Sequence, residues 1–138
     1  MSAKDQIHEI VKQALIEDGW TITADPYELS YKELSLAVDL AAERLIEATR
    51  NEEKILVEVK SFLGRSFAKE FQGALGQYQV YLGLLEALNV TDTLYLAVSD
   101  VVYRRFFQQT AYQLLVERFQ IRLLIVDIEN GKVVSWIA

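Results

Sequence analysis

The feature that most constrains the fold of this chain is an apolar run interrupted by two charged residues. The segment 55–60 reads Ile-Leu-Val-Glu-Val-Lys, so Glu58 and Lys60 stand among residues that suit a buried strand. Burying a carboxylate or an ammonium costs free energy unless the charge is paired or binds a metal. Side chains alternate along a strand, which puts Glu58 and Lys60 on one face and Val57 and Val59 on the other. This pattern predicts a sheet with a charged site on one face.

A second carboxylate, Asp39, interrupts the preceding apolar run. The polar segment 50–53 predicts a hairpin that joins that region to the strand 55–60. A turn centred near Arg50 and Asn51 would set Asp39 opposite residues 61–62, slightly past Lys60. We therefore expect Asp39 to lie near Glu58 and Lys60.

This set of residue types indicates metal-dependent phosphodiester chemistry. Asp39 and Glu58 would offer two hard anionic oxygens to Mg²⁺ or Mn²⁺, and the backbone carbonyl of Val59 a third. A metal held there polarises a phosphoryl oxygen and lowers the pKa of a bound water. Lys60 could orient that water or stabilise the developing negative charge. The alternative is an ion pair between Lys60 and one of the carboxylates that holds the hairpin together.

Composition limits the function classes. A chain of 138 residues predicts one domain, 1–138. No cysteine and a single histidine argue against a zinc site. No apolar run approaches the ~20 residues of a membrane span and no signal peptide is apparent, so we expect a cytoplasmic protein. The net charge of −6 argues against tight non-specific DNA binding and so weighs against a nuclease.

Hydrophobic periodicity predicts an α/β fold (a mixed α+β arrangement) with a mixed sheet flanked by helices. Helices are predicted over 3–18, 67–88 and 101–119. Strands are predicted over 20–25, 34–40 with a continuation through 43–49, 55–60, 93–98, 121–127 and 133–137. The long helix between strands 55–60 and 93–98 indicates that these two strands are parallel. The front half of the chain is predicted to form an antiparallel meander.

Weaker candidates surround the predicted site. Glu9 on the first helix could be a supplementary carboxylate near the metal, although a solvated helix residue is the simpler interpretation. Gln77 could hydrogen-bond a phosphate or the metal-bound water, and a polar residue on a helix rim is the alternative. The best basic contacts for nucleic acid are Arg65 and Lys69, whereas we interpret Arg104-Arg105 as a charged helix face.

Three further expectations concern packing and assembly. Gly73 and Gly76 destabilise a helix interior by about 1 kcal/mol each relative to alanine, which suggests that another backbone approaches there. His8 is expected at the surface. The many aromatic and aliphatic residues favour a homo-oligomer or a heteromer that buries part of the helices 67–88 or 101–119.

The arrangement of the three charged residues resembles the PD-(D/E)XK nuclease superfamily. Asp39 is followed by Glu58-x-Lys60 on the next strand, with a helix before and a long helix after, although Val38 replaces the proline that often precedes the first carboxylate. At family level, segments across essentially the whole chain resemble the XisH family. These segments are 18–23 (Asp-Gly-Trp-Thr-Ile-Thr), 38–45, 57–62, 74–78 (Ala-Leu-Gly-Gln-Tyr), 94–98 and the closing 136–137.

The resemblance implies a restriction-endonuclease-like αβββαβ core and an endonuclease role. By superfamily analogy it gives Asp39, Glu58 and Lys60 the catalytic positions, Glu9 the acidic position of the first helix, and Gln77 a position near the site. The XisH family is associated with cyanobacteria and named for controlling excision of the fdxN DNA element during heterocyst development. It is thought to act with an XisI-family partner, while a separate recombinase carries out the excision.

Two functions stay open at this point. The first is a Mg²⁺-dependent DNA endonuclease that serves DNA rearrangement. The second is a non-catalytic regulatory protein on a nuclease fold that acts through an XisI-type partner. The acidic composition favours the second, and the intact set of Asp39, Glu58 and Lys60 favours the first.

Overall fold

A mixed sheet with helices packed against it forms the protein in the computed structural model, which describes residues 2–35 and 45–138. The helices are α1 (Ala3–Glu17), α2 (Phe67–Ala87), α3 (Asp100–Val102), a π-helical segment (Tyr103–Phe107) and α4 (Thr110–Arg118). The strands are β1 (Thr21–Ala24), β2 (Ser30–Tyr31), β3 (Leu34–Ser35), β4 (Leu45–Arg50), β5 (Glu53–Val59), β6 (Thr93–Ser99), β7 (Leu123–Asp127) and β8 (Lys132–Ile137). The predicted mixed α/β class is confirmed.

The order of the six strands across this sheet is β1-β4-β5-β6-β7-β8. β5 pairs antiparallel with β4 and parallel with β6, as the sequence predicts from the long helix between β5 and β6. β5 is therefore an interior strand with a neighbour on each side. Glu58, near the end of β5, therefore has a neighbouring strand on each side.

The region between β1 and β5 differs from the prediction. Leu34–Ser35 pairs with β2 in a separate two-stranded sheet, so the prediction that this stretch opens a strand of the main sheet is wrong. The turn before β5 is centred on Asn51 and Glu52, one residue later than predicted, and both residues have positive φ. Such angles suit the two-residue turns that match strand twist. Asp39 lies outside the described residues.

The predicted helix 101–119 is interrupted. α3 continues into the π-helical segment, and α4 starts afresh after Gln109, whose backbone is extended. The π-helical segment carries Phe106 and Phe107 into contact with α2: Phe67 stacks on Phe106 with ring centroids 4.2 Å apart and meets Phe107 edge-on. A π-helical turn contains more residues than an α-helical turn. The contacts of Phe106 and Phe107 with Phe67 stabilise this wider turn.

Each face of the sheet carries its own core. On one face α2, the π-helical segment and the partly buried apolar residues of α4 cover alternate residues of the strands, among them Leu56, Leu94 and Leu96. Tyr78 of α2 ties this layer to the sheet, since its hydroxyl donates to the Leu94 carbonyl and accepts from the Arg122 amide. On the other face α1 packs against the intervening strand residues. We call these the α2 face and the α1 face.

The α1 face joins the two ends of the described chain. Trp20 follows α1 and packs against Trp136 of β8, with the two ring centroids 5.6 Å apart. Tyr95 of β6 meets Trp136 edge-on at 4.9 Å. Within residues 2–35 and 45–138, no helix has both the length and the apolar character needed to cross a bilayer.

The expectation about His8 in α1 is wrong, and the described residues do not provide the backbone contact expected at Gly73 and Gly76 of α2. Gly73 and Gly76 are exposed, and a Cβ atom at either would meet no described atom within 4 Å, so no other part of the described chain approaches them. His8 is 1% exposed rather than a surface residue. Its Nε2 lies 3.0 Å from Asp25 Oδ1, and Lys12 donates to Asp25 Oδ2 at 2.9 Å. Burial opposes ionisation of Asp25, but the hydrogen bonds from Lys12 and His8 hold its pKa below the ordinary value.

Candidate functional site

The carboxylate of Glu58 lies inside the sheet. Glu58 is 1% exposed and stands opposite Leu45 of β4 and beside Leu96 of β6. Alternation puts it on the α2 face with Leu56, while Val57 and Val59 belong to the core of the α1 face. The predicted separation of these side chains between two faces is therefore confirmed. Such burial is costly for a carboxylate, so local partners must hold it there.

Lys60 is one of those partners. Its Nζ lies 3.5 Å from Glu58 Oε1, and its backbone amide donates to the Ala97 carbonyl at 3.0 Å. The side chain of Lys60 is 17% exposed to solvent. The ammonium is therefore anchored by a buried carboxylate and still accessible to solvent, as a residue that meets a substrate must be.

A cavity of about 190 Å³ opens beside Lys60. α2 supplies its wall through residues spaced three and four apart, which lie on one side of a helix. The lining consists of Lys4, Lys60, Phe62, Glu70, Gly73 and Ala74. The cavity is thus formed by the start of α1, the end of β5 and the first turns of α2.

Gln77 continues this side of α2, four residues beyond Gly73. Its Nε2 donates to the hydroxyl of Tyr81 at 3.0 Å. Tyr81 is 1% exposed and belongs to the core of the α2 face. The bond fixes the amide of Gln77 on the same face of the sheet as Glu58. Sequence reasoning missed Tyr81, although its spacing of four from Gln77 was the available signal.

The other predicted residues have different placements. Glu9 is half-buried on α1, whose buried residues pack on the α1 face, opposite to the face of Glu58. Val59 is the last residue of β5, so its carbonyl follows directly after Glu58. Arg65 and Lys69 are exposed at the start of α2. Arg104 pairs with Asp100 one turn earlier, as a charged helix face would.

The described residues fit a hard cation in part. The Glu58 carboxylate and the Val59 carbonyl offer oxygen, the donor that Mg²⁺ and Mn²⁺ prefer. Among the residues that the structure describes, no three histidine, aspartate or glutamate side chains are grouped closely enough to hold a metal. Asp39, the second predicted ligand, lies outside them. Glu58 is thus the one carboxylate of the predicted pair that the structure places.

Glu70 holds the loop that follows Lys60. Both of its carboxylate oxygens accept from the Gly64 amide at 3.1 Å. A Cβ atom at Gly64 would lie 2.8 Å from Glu70 Oε1, so a larger residue there would displace the Glu70 carboxylate. Because Glu70 also lines the cavity, it connects the loop conformation to the cavity wall. No sequence signal identified this contact in advance, because the two residues belong to different elements.

A second carboxylate pair lies towards the other end of β5. Asp92 precedes β6 and faces Glu47 of β4, which also accepts from the Thr23 hydroxyl. Burial raises the pKa of Asp92 to about 6, and a hydrogen bond and repulsion from Glu47 add to the increase. Lys54 partly offsets this effect. Ionised Asp92 therefore destabilises the fold.

Asp92→Asn should raise the free energy of unfolding at pH 7 by about 1–2 kcal/mol, after allowance for solvent screening. The folded pKa of Asp92 lies above the unfolded value, so its ionisation costs stability as pH rises from about 4 to about 6. The difference between the variant and the wild type should vanish below that range and level off above it. Urea unfolding across pH measures this.

Asp127→Asn is the matched control. Hydrogen bonds from the Asn130 side chain and backbone lower the pKa of Asp127, which is the opposite direction. Its replacement should therefore give no gain at neutral pH. A pKa for Asp92 near 4 in an NMR titration would contradict the expected pH dependence.

Comparison with known proteins shows similarity along nearly the whole chain. A family model described as XisH protein matches residues 1–134. A crystal structure of an fdxN element excision controlling factor protein from Anabaena variabilis superposes with a TM-score of 0.89 at 40% identity, covering 97% of this chain and 99% of that one. An XisH family protein from Nostoc punctiforme gives a TM-score of 0.89 at 41% identity, covering 97% and 100%. No match was found among curated proteins.

Proposed function

Because this chain belongs to the XisH family, we propose that it is an fdxN element excision controlling factor and that it acts as a metal-dependent DNA endonuclease. The observation that carries the catalytic part is Glu58: a 1% exposed carboxylate in an interior strand, with the Lys60 ammonium 3.5 Å away. Apolar replacements usually stabilise a core as well as or better than a buried ion pair. A chemical role accounts for the pair better than stability does.

The chain's own residues would divide the work as follows. When Mg²⁺ or Mn²⁺ is bound by Glu58, the Val59 carbonyl and Asp39, it supplies an activated water and polarises the phosphoryl group. Backbone pairing with β4 and β6 on both sides fixes the position of Glu58 in the sheet, and its carboxylate would be a ligand of the metal. Lys60 lies 3.5 Å from Glu58 and lines the cavity, where its ammonium would stabilise negative charge on a phosphate.

A second candidate function is regulation without catalysis, through an XisI-type partner. The net charge of −6 favours it, because a protein that binds DNA unaided usually carries a basic surface. On this interpretation the Lys60–Glu58 pair only stabilises the end of β5. The two functions predict different behaviour towards metal ions.

Isothermal titration with Mn²⁺ and Mg²⁺ tests the proposal. Wild type should bind the metal, whereas Asp39→Ala and Glu58→Gln should each lose at least about tenfold in affinity, as removal of a ligand does. Glu53→Gln is the matched control, since Glu53 begins the same strand but is exposed. Equal weak binding by wild type and all three variants would overturn the catalytic proposal and leave the regulatory one. Nicking of supercoiled DNA in Mn²⁺ gives the matching activity measurement.

A further inference from the structure

The cavity beside Lys60 has the size of a subsite for one small group. Its volume of about 190 Å³ is below the ~300–1,000 Å³ of pockets that enclose small-molecule ligands. A phosphate group fits such a space better than a nucleoside does. Two of the six described lining residues carry ammonium groups, Lys4 and Lys60, and they come from different parts of the chain.

Among the described residues, Lys4 has no partner that would give its side chain a role in holding the fold together. It is exposed in the first turn of α1, and no described residue forms a hydrogen bond or ion pair with its side chain. The amino end of a helix carries partial positive charge, so an ammonium there is unfavourable for the helix. Asp5, one residue on, has the charge that this position prefers. Lys4 is therefore placed against local preference at the rim of a cavity.

Gly73 also stands against local preference. It lies inside α2, where alanine would be more stable. A Cβ atom there would meet nothing described within 4 Å, so no turn and no packing contact within the described chain requires glycine. Because Gly73 lines the cavity, the missing side chain leaves that space open. Among the described lining residues the acidic one is Glu70, which directs both oxygens to the Gly64 amide.

We infer that this cavity binds a phosphate of a nucleic-acid strand, with Lys4 as a contact additional to Lys60 and with Gly73 giving clearance for the sugar–phosphate backbone. The inference deepens the proposed function, on which it rests for the nature of the substrate. It is tested by binding as well as by cleavage, so the two can fail separately.

The first test measures the salt dependence of binding. Fluorescence anisotropy with a short labelled DNA duplex in Ca²⁺ buffer compares wild type, Lys4→Gln and Lys132→Gln. Lys132 is the matched control, because it is exposed on β8 and pairs with Glu17 instead. Lys4→Gln should weaken binding and reduce the slope of log K against log salt by about 0.7–0.9, the effect of losing one phosphate contact. Lys132→Gln should leave the slope unchanged.

The second test adds a methyl group to the cavity wall at a helix position where alanine does not destabilise the fold. Gly73→Ala and Gly83→Ala change the same residue type in α2, and each new methyl group meets no described atom within 4 Å. Both variants should unfold at the wild-type temperature or higher. Only Gly73→Ala should weaken DNA binding severalfold, because Gly83 does not line the cavity.

The outcomes separate the inference from the proposed function. Wild-type binding and slope in both Lys4→Gln and Gly73→Ala would overturn the inference, even if wild type cleaves DNA. Binding that responds to Lys4 and Gly73 in a protein that never cleaves would support the inference and overturn the nuclease. A wild type that binds no DNA would overturn the phosphate site itself. Competition by inorganic phosphate at equal strength to DNA would show a free-anion site and overturn the nucleic-acid assignment.

Discussion

Lys60→Ala should reduce DNA cleavage by at least about 100-fold, the usual loss when one preorganised charge-stabilising group is removed. Metal affinity should stay close to that of wild type, because Lys60 offers no oxygen ligand. The physical reason is the placement of its ammonium 3.5 Å from Glu58 Oε1 at the edge of a cavity. Single-turnover cleavage and metal titration on the same preparation check both parts.

Folding must be measured alongside, because removing Lys60 leaves Glu58 without one of its partners. Breaking a buried pair in this way costs up to about 3–5 kcal/mol. Lys60→Arg keeps the charge but changes its shape, so it should restore stability and only part of the cleavage. Lys132→Ala is the control, because Lys132 is an exposed lysine on β8 that pairs with Glu17 and does not line the cavity. Full cleavage by a folded Lys60→Ala protein would contradict the catalytic role.

Phe67→Ala should lower the free energy of unfolding by about 3–5 kcal/mol. Phe67 opens α2 and meets rings from three directions: it stacks on Phe106 and meets Phe107 and Tyr112 edge-on. Such a loss is a large share of the ~5–15 kcal/mol that stabilises a typical domain. Urea unfolding followed by circular dichroism measures it.

Phe119→Ala is the matched control for this change. Phe119 is an aromatic residue after α4 with 39% exposure, so its removal should cost less than about 1 kcal/mol. Equal losses in both variants would show that the rings around Phe67 do not carry the stability assigned to them. Both residues belong to helices predicted from periodicity, and the structure distinguishes them by their burial.

Much of the fold follows from sequence pattern. The interior position of β5, its parallel neighbour β6 and the start of α1 were predictable from periodicity, crossover length and the Ser2 cap, which accepts from the Asp5 amide. The opposite faces of Glu58 and Val59 follow from strand alternation alone. These features depend on local geometry, which a single sequence contains.

The predictions fail where contacts between residues distant in the sequence determine the structure. His8 has an ordinary helical position, and only the approach of Asp25 from beyond β1 makes its burial tolerable. The interruption after the π-helical segment depends on rings of α2. Gly73 was correctly identified as unusual, but the reason given was a close backbone neighbour, and the described chain provides none. The metal, the partner and the homo-oligomer stay predictions.

The two tryptophans have a practical consequence for measuring ligands. Trp20 and Trp136 are the only tryptophans of the chain and pack together on the α1 face, on the opposite side of the sheet from Glu58. Tryptophan emission therefore reports on the packing of Trp20 against Trp136, and both rings lie on the face of the sheet opposite to α2. An unchanged spectrum on adding metal or oligonucleotide is the expected reading for a fully loaded protein. A dye attached near Leu63, which is 54% exposed after Lys60, would give the optical signal instead.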